Sequence, residues 1–153
     1  MSEGDSNSCS GGVLRPGSSE APALLVPGVY RLVYVHHQTV LAFGRQPKVE
    51  ITFSIADPAA MGEQLRRFYR VNRLISKPKK NGTFKAGWHG ELLHEFVTLF
   101  GERPERLDRI PLTRFRNRIV RGRVKTVTHT SKQRELPELL QYSVIDSLLS
   151  VDQ

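Results

Sequence analysis

A single cysteine, Cys9, stands in the 153 residues. It excludes an intrachain disulfide and argues against a thiolate metal site, which needs several such ligands. The setting this implies is reducing and cytoplasmic. No apolar run reaches the ~18 residues of a bilayer-spanning helix, so no membrane role is expected. The opening Met1-Ser-Glu-Gly-Asp lacks the basic and apolar regions of a secretory signal. Acid is also scarce where it matters. Between Arg66 and Lys85 there are eight Lys or Arg and no Asp or Glu, and between Arg109 and Arg134 there are nine and none.

Catalytic signatures are missing as well. There is no His-Glu-x-x-His, no phosphate-binding Gly-x-x-x-x-Gly-Lys-Ser/Thr and no Gly-x-Ser-x-Gly. His36 and His37 are neighbours and point to opposite faces of a strand. His89 and His94 are five apart, which does not put both on one helical face. Asp57, Glu63, Glu91, Glu95 and Asp108 form no nuclease-like cluster and read as caps and surface acids. Asp108, between Arg106 and Arg109, reads as a local ion pair. The chain is therefore read as a non-enzyme with no cofactor and no metal.

What is present is positive charge. The net charge is +8 with a pI near 10.1, which favours an anionic partner. Hydrophobic residues make up 39% and charged residues 25%, as in a single globular domain with a real core. Residues 1–26 are rich in Ser, Gly and Pro and read as a disordered leader. A folded domain is expected over 27–151.

Val29 to Phe43 is dense in β-branched and aromatic residues and reads as a long, bent strand. Gly44 to Pro47 reads as a turn. Lys48 to Ile55 alternates: Val49, Ile51, Phe53 and Ile55 on one face, Lys48, Glu50, Thr52 and Ser54 on the other. Leu65 to Leu74 suits a helix or a third strand, and the strand is preferred. Ser76 to Gly87 is a lysine-rich loop, which Gly82 and Gly87 would make pliable enough to clamp a ligand. Gly90 to Phe100 carries an apolar stripe and ends at Gly101, a helix with its cap. Asn117 to His129 reads as a strand. Gln141 to Val151 reads as a final strand or short helix. No internal repeat is visible.

In the Asn117–His129 strand, Arg121, Arg123 and Lys125 share one face, above Val120, Gly122, Val124 and Thr126 on the other. Like charges in a ladder repel unless something anionic and extended lies beside them. A solvated edge strand guarded by cations would carry the same pattern. Binding a single strand needs cations for phosphates and flat rings for bases. The candidate cations are Arg121, Arg123, Lys125, Arg118, Arg67, Arg70, Arg73, Lys77, Lys79, Lys80 and Lys85. The candidate stacking rings are Tyr34, Tyr69 and Trp88, whereas Phe68, beside Leu65 and Val71, is expected in the core. One of Tyr30 and Tyr34 is also expected there.

The element order is strand, strand, strand, helix, strand, strand, the order of the OB-fold, a partly open five-stranded barrel. The stretches Gly28-Val-Tyr-Arg, Pro47-Lys-Val-Glu-Ile-Thr-Phe-Ser-Ile, Leu65-Arg-Arg-Phe-Tyr-Arg-Val, Leu107-Asp-Arg-Ile-Pro-Leu and Gln141-Tyr-Ser-Val-Ile carry a resemblance. In rhythm they are similar to the OB-fold single-stranded DNA-binding proteins of phages and other bacterial mobile elements. The resemblance implies a mainly β, OB-like barrel with one helix between strands 3 and 4. It also implies single-stranded DNA binding with little sequence preference, accessory to replication or transfer. It stops short of the acidic C-terminal tail of bacterial single-strand-binding proteins, because this sequence ends Leu149-Ser-Val-Asp-Gln153. Two other readings fit the charge. One is a basic adaptor docking an acidic replication protein. The other is a duplex-DNA regulator, which the single convincing helix disfavours. RNA is as good a partner as DNA at this level, since nothing reports on a 2′-hydroxyl. Barrels of this kind often form homo-oligomers, but no interface is legible.

Overall fold

The computed structural model describes residues 24–129, 133–137 and 141–152. Its main feature is one five-stranded antiparallel sheet. The strands are β1 (Gly28–Ala42), β2 (Gln46–Ile55), β3 (Gln64–Arg70), β6 (Ile119–Val127) and β7 (Tyr142–Asp152), in the order β3-β2-β1-β6-β7. A two-stranded ribbon, β4 (Arg73–Leu74) with β5 (Phe84–Lys85), and one α-helix, α1 (Glu91–Phe100), lie between β3 and β6. The fold is thus mainly β with one helix, as expected, and Leu65–Leu74 contributes a strand. The final segment is also a strand.

The 15 residues of β1 organise the rest. A bulge between Tyr34 and His36 bends it, and its two halves have different neighbours. The first half pairs with β6, from Gly28↔Val124 to Val33↔Ile119. The second half continues alone beside β2, from His36↔Thr52 to Ala42↔Gln46. A bulge adds one residue to a strand and increases its twist. No backbone pairing joins β3 to β7 among the described residues. These outer strands nevertheless approach each other, and α1 packs against both.

The core lies on the concave side. Val49, Ile51, Phe53 and Ile55 are buried, as the β2 alternation requires. Phe115, on the turn before β6, meets Phe53 edge-on with ring centres 5.8 Å apart, and Phe100 closes on Phe115 at 5.2 Å. Phe53 and Phe115 are fully buried, and each such ring stabilises the fold by about 1.5–3 kcal/mol. The apolar stripe of α1 buries Leu92, Leu93 and Phe96. Gly101, with φ 75°, ends the helix and donates its N–H to Val97 O.

Most of the expected leader, residues 1–23 with Cys9, lies outside the described residues. Its last part does not match the expectation of disorder. Leu25 is fully buried and donates its N–H to Ser143 Oγ at 2.7 Å, so the packed chain begins ahead of Pro27.

Candidate nucleic-acid interface

The β3 sequence does not alternate cleanly in polarity, but its backbone does. Leu65, Arg67 and Tyr69 point inward, while Arg66, Phe68 and Arg70 point outward. Register then assembles a surface, because directly paired residues share a face of the sheet. Phe68 is opposite Glu50, and Glu50 is opposite Gln38. An isolated bridge sets Lys80 beside Gln38. In the neighbouring rows, Arg70 is opposite Lys48, and Arg66 is opposite Thr52. The result is a convex patch with Phe68, 37% exposed, flanked by Arg66 and Arg70, with Lys48 and Lys80 close by.

Glu50 is the acid within these rows, and it is buried beneath its neighbours. Gln38 Nε2 donates to it at 2.5 Å, and Arg66 Nε lies 3.5 Å from its other oxygen. The patch therefore stays positive. Phe68 on this surface contradicts the expectation that it is core. Arg66 and Lys48 were not singled out as binding residues either. The signal was the period of two from Gln64 to Arg70, which an aromatic at both 68 and 69 obscures.

Two expected contacts are inside the protein instead. Arg67 is buried and donates from Nη2 to Glu95 Oε2 at 2.7 Å, with its guanidinium 4.3 Å from the Tyr69 ring centre. Burial pulls the Arg67 pKa down, but the hydrogen bond and charge of Glu95, with Tyr69 and Glu91, bring it above its ordinary value. Tyr69 is fully buried and donates its hydroxyl to Glu95 Oε1 at 2.5 Å. Its burial, with the Glu95 charge, pushes its pKa well above that of a free tyrosine. Neither residue can meet a ligand. Tyr34 is also taken: it stacks on Phe115, ring centres 6.0 Å apart, and donates its hydroxyl to His37 Nδ1. Arg118 lies half-buried over Phe100, 5.8 Å from its ring centre. Trp88 is 62% exposed, as a stacking ring should be, with Arg103 5.2 Å above it.

Arg121, Arg123 and Lys125 are exposed above buried Val120, Gly122 and Val124, so the ladder forms as expected. Arg121 pairs with Asp152 and Lys125 with Asp146, each at 3.2 Å, while Arg123 has no ion pair among the described residues. Such exposed pairs are weak and yield readily to another anion. The ladder borders the first half of β1, whereas the Phe68 patch borders the second. The row Ile119↔Val33↔Ser54↔Gln64 joins them, so the two basic tracts lie on the same outer face of the sheet but beside different halves of β1.

The lysine loop is pinned, not pliable. Thr39 N–H donates to Lys79 O at 3.0 Å, Lys79 N–H to Thr39 Oγ1 at 3.1 Å, and Asn81 N–H to His37 O at 2.8 Å. A Cβ on Gly82 would stand 2.2 Å from Thr39 Oγ1, so only glycine fits there. This docking leaves Lys77, Lys79 and Lys80 exposed. Exposed Arg73 faces half-buried Lys85 across the β4–β5 ribbon. Between this loop and residues 108–116 lies a groove of 410 Å³, with Tyr34, His37 and Phe84 in its walls and Arg109 and Arg116 at its edge. Asp108 pairs with Arg106 at 2.7 Å, the local ion pair expected. No cluster of metal-ligating side chains occurs among the described residues, and none of the described helices is long and apolar enough to cross a membrane.

His37 adds a pH dependence. Its Nε2 is 3.1 Å from Gly82 O, a pure acceptor, so Nε2 carries the proton and Nδ1 accepts from Tyr34. Burial lowers its pKa below the ordinary 6.5; the Gly82 carbonyl opposes this and His36 adds to it. The unfolded chain thus takes up this proton first. The His37 contribution is intact above pH 6.5 and is lost as pH falls through the lowered folded value. Thermal unfolding of the wild type and His37→Asn from about pH 7.5 to about pH 5, a window that starts above the ordinary histidine value and runs below it, is expected to show a shallower acid-side loss in the variant. Equal slopes would assign that loss to other groups.

Searches of protein-family models, curated proteins and solved structures found no significant match for this chain.

Proposed function

We propose that this chain is an OB-like domain that binds single-stranded DNA, with little sequence preference, through the convex face of β1, β2 and β3. The observation that carries the reading is Phe68, an exposed ring set between Arg66 and Arg70 on a four-segment surface that includes Lys48 and Lys80. A ring offers every base a stacking surface, and flanking cations hold the phosphates on either side. The architecture supports the reading. The long strands run 3-2-1-4-5 in space, with the helix between the third and fourth, and the two outer strands approach across α1. In OB-folds the face of strands 2 and 3 holds oligonucleotides. Accessory action in replication or transfer of a mobile element follows from the sequence resemblance alone.

Fluorescence titration with labelled oligo-dT, duplex DNA and oligo-U at two salt concentrations tests this. Oligo-dT is expected to bind best. If Lys48, Arg66, Arg70 and Lys80 neutralise about four phosphates, log affinity against log salt falls with a slope of roughly −2.8. A flat salt response rejects the mechanism. Preference for duplex or for RNA rejects the stated substrate.

A further inference from the structure

The β1–β2 hairpin turns at Ala42–Arg45, where Arg45 N–H donates to Ala42 O at 3.1 Å. Its two central residues, Phe43 and Gly44, have φ of 55° and 74°. Two successive positive φ values define a type I′ turn, whose first central position belongs to Asn, Asp or Gly. A bulky aromatic in the left-handed region is an outlier, because its Cβ crowds the backbone. Nothing among the described residues compensates. The Phe43 ring is 78% exposed, the most exposed of the large hydrophobic side chains, and it makes no ring or cation contact among the described residues. The sequence holds a ring where neither turn chemistry nor packing asks for one, and strain of that kind concentrates at functional positions.

The surroundings indicate what the ring meets. Exposed Arg45 adjoins it. The pairing Val40↔Lys48↔Arg70 places two cations on the outer face just short of the tip. From the row of Gln38 and Phe68 to the end of the hairpin is four residues of strand, or ~14 Å. Beyond Lys48↔Arg70 the hairpin outruns β3, so the tip stands clear of the sheet.

We infer that Phe43 is a second base-stacking residue, which extends the path of a bound single strand from Phe68 past Lys48 and Arg70 to the hairpin tip. This rests on the single-strand reading above and adds a contact to it. The test compares wild type, Phe43→Gly, Phe43→Trp and Phe68→Ala by thermal unfolding and by titration with oligo-dT of ~4 and ~12 nucleotides. Phe43→Gly is expected to raise the melting temperature, because it relieves the turn. It is also expected to weaken binding of the longer oligonucleotide roughly tenfold and to leave the shorter one unchanged, whereas Phe43→Trp keeps wild-type affinity. A structural role for the ring would move stability and affinity in the same direction. Wild-type affinity of Phe43→Gly for the longer strand, with binding still lost in Phe68→Ala, overturns the inference alone. Failure of the wild type to bind either length overturns this inference and the single-strand reading together.

Discussion

Glu95→Ala is expected to cost about 3–5 kcal/mol, the usual penalty for removing one partner of a buried ion pair. The carboxylate collects partners from both outer strands of the sheet. Arg67 Nη2 donates to Oε2 at 2.7 Å, and Tyr69 hydroxyl donates to Oε1 at 2.5 Å, both from β3. Leu148 N–H donates to Oε1 at 3.2 Å from β7. Truncation leaves a buried phenol and a backbone N–H of β7 without this acceptor, and it leaves the buried guanidinium only the Phe68 carbonyl at 3.1 Å and Glu91 at 3.5 Å. Against a total of ~5–15 kcal/mol for a domain, that is a large share. The natural comparison is Glu95→Ala beside Arg67→Met/Glu95→Leu. Replacing both charges with apolar groups of similar volume can be neutral where breaking the pair is not. Urea unfolding is expected to rank the double variant well above Glu95→Ala. Equal destabilisation of the two, or a loss below ~1 kcal/mol in Glu95→Ala, would mean that the charges do not act as a closed unit.

Phe68→Ala is expected to weaken oligo-dT binding by about 1–3 kcal/mol, the measured range for losing one stacking ring. That corresponds to roughly a 5- to 150-fold rise in Kd. Stability is expected to change less than for a core ring, because 37% of Phe68 is exposed on the outer face of β3. The neighbouring cations act differently. Arg70→Ala removes one of the proposed phosphate contacts, so it is expected to lower the salt slope by about 0.7. Phe68→Ala is expected to leave the slope as it is. Separation of the two signatures, affinity from one residue and salt sensitivity from the other, distinguishes a stacking surface from a merely basic one. If Phe68→Ala binds like the wild type while Arg121→Ala and Arg123→Ala do not, the β6 ladder is the interface instead.

The secondary structure is legible in the sequence where local pattern decides it. The alternation of Val49 through Ile55, the apolar stripe ending at Gly101 and the small residues under Arg121, Arg123 and Lys125 all form the elements they suggest. What stays hidden depends on distant partners. Phe68 and Tyr69 look interchangeable along the chain, yet one is outside and one inside, because pairing with β2 fixes which face is buried. Arg67 reads as a ligand-binding cation until Glu95, 28 residues later, is placed beside it. The pinning of the lysine loop spans 40 residues between Thr39 and Lys79, and no local signal reports it. Gly82 and Gly87 read as freedom to move, whereas the buried contact at Gly82 demands a missing side chain.

The same docked loop has a second consequence. Beyond Val33, β6 no longer covers β1, and the backbone groups of His37 and Thr39 on that side are satisfied by Asn81 and Lys79. A strand border left bare there would be a template for annealing to another copy of the chain. Three residues of a charged loop take that place, and their lysines repel an approaching twin. Protection of that border is thus built into the very segment that lies next to the row of Phe68.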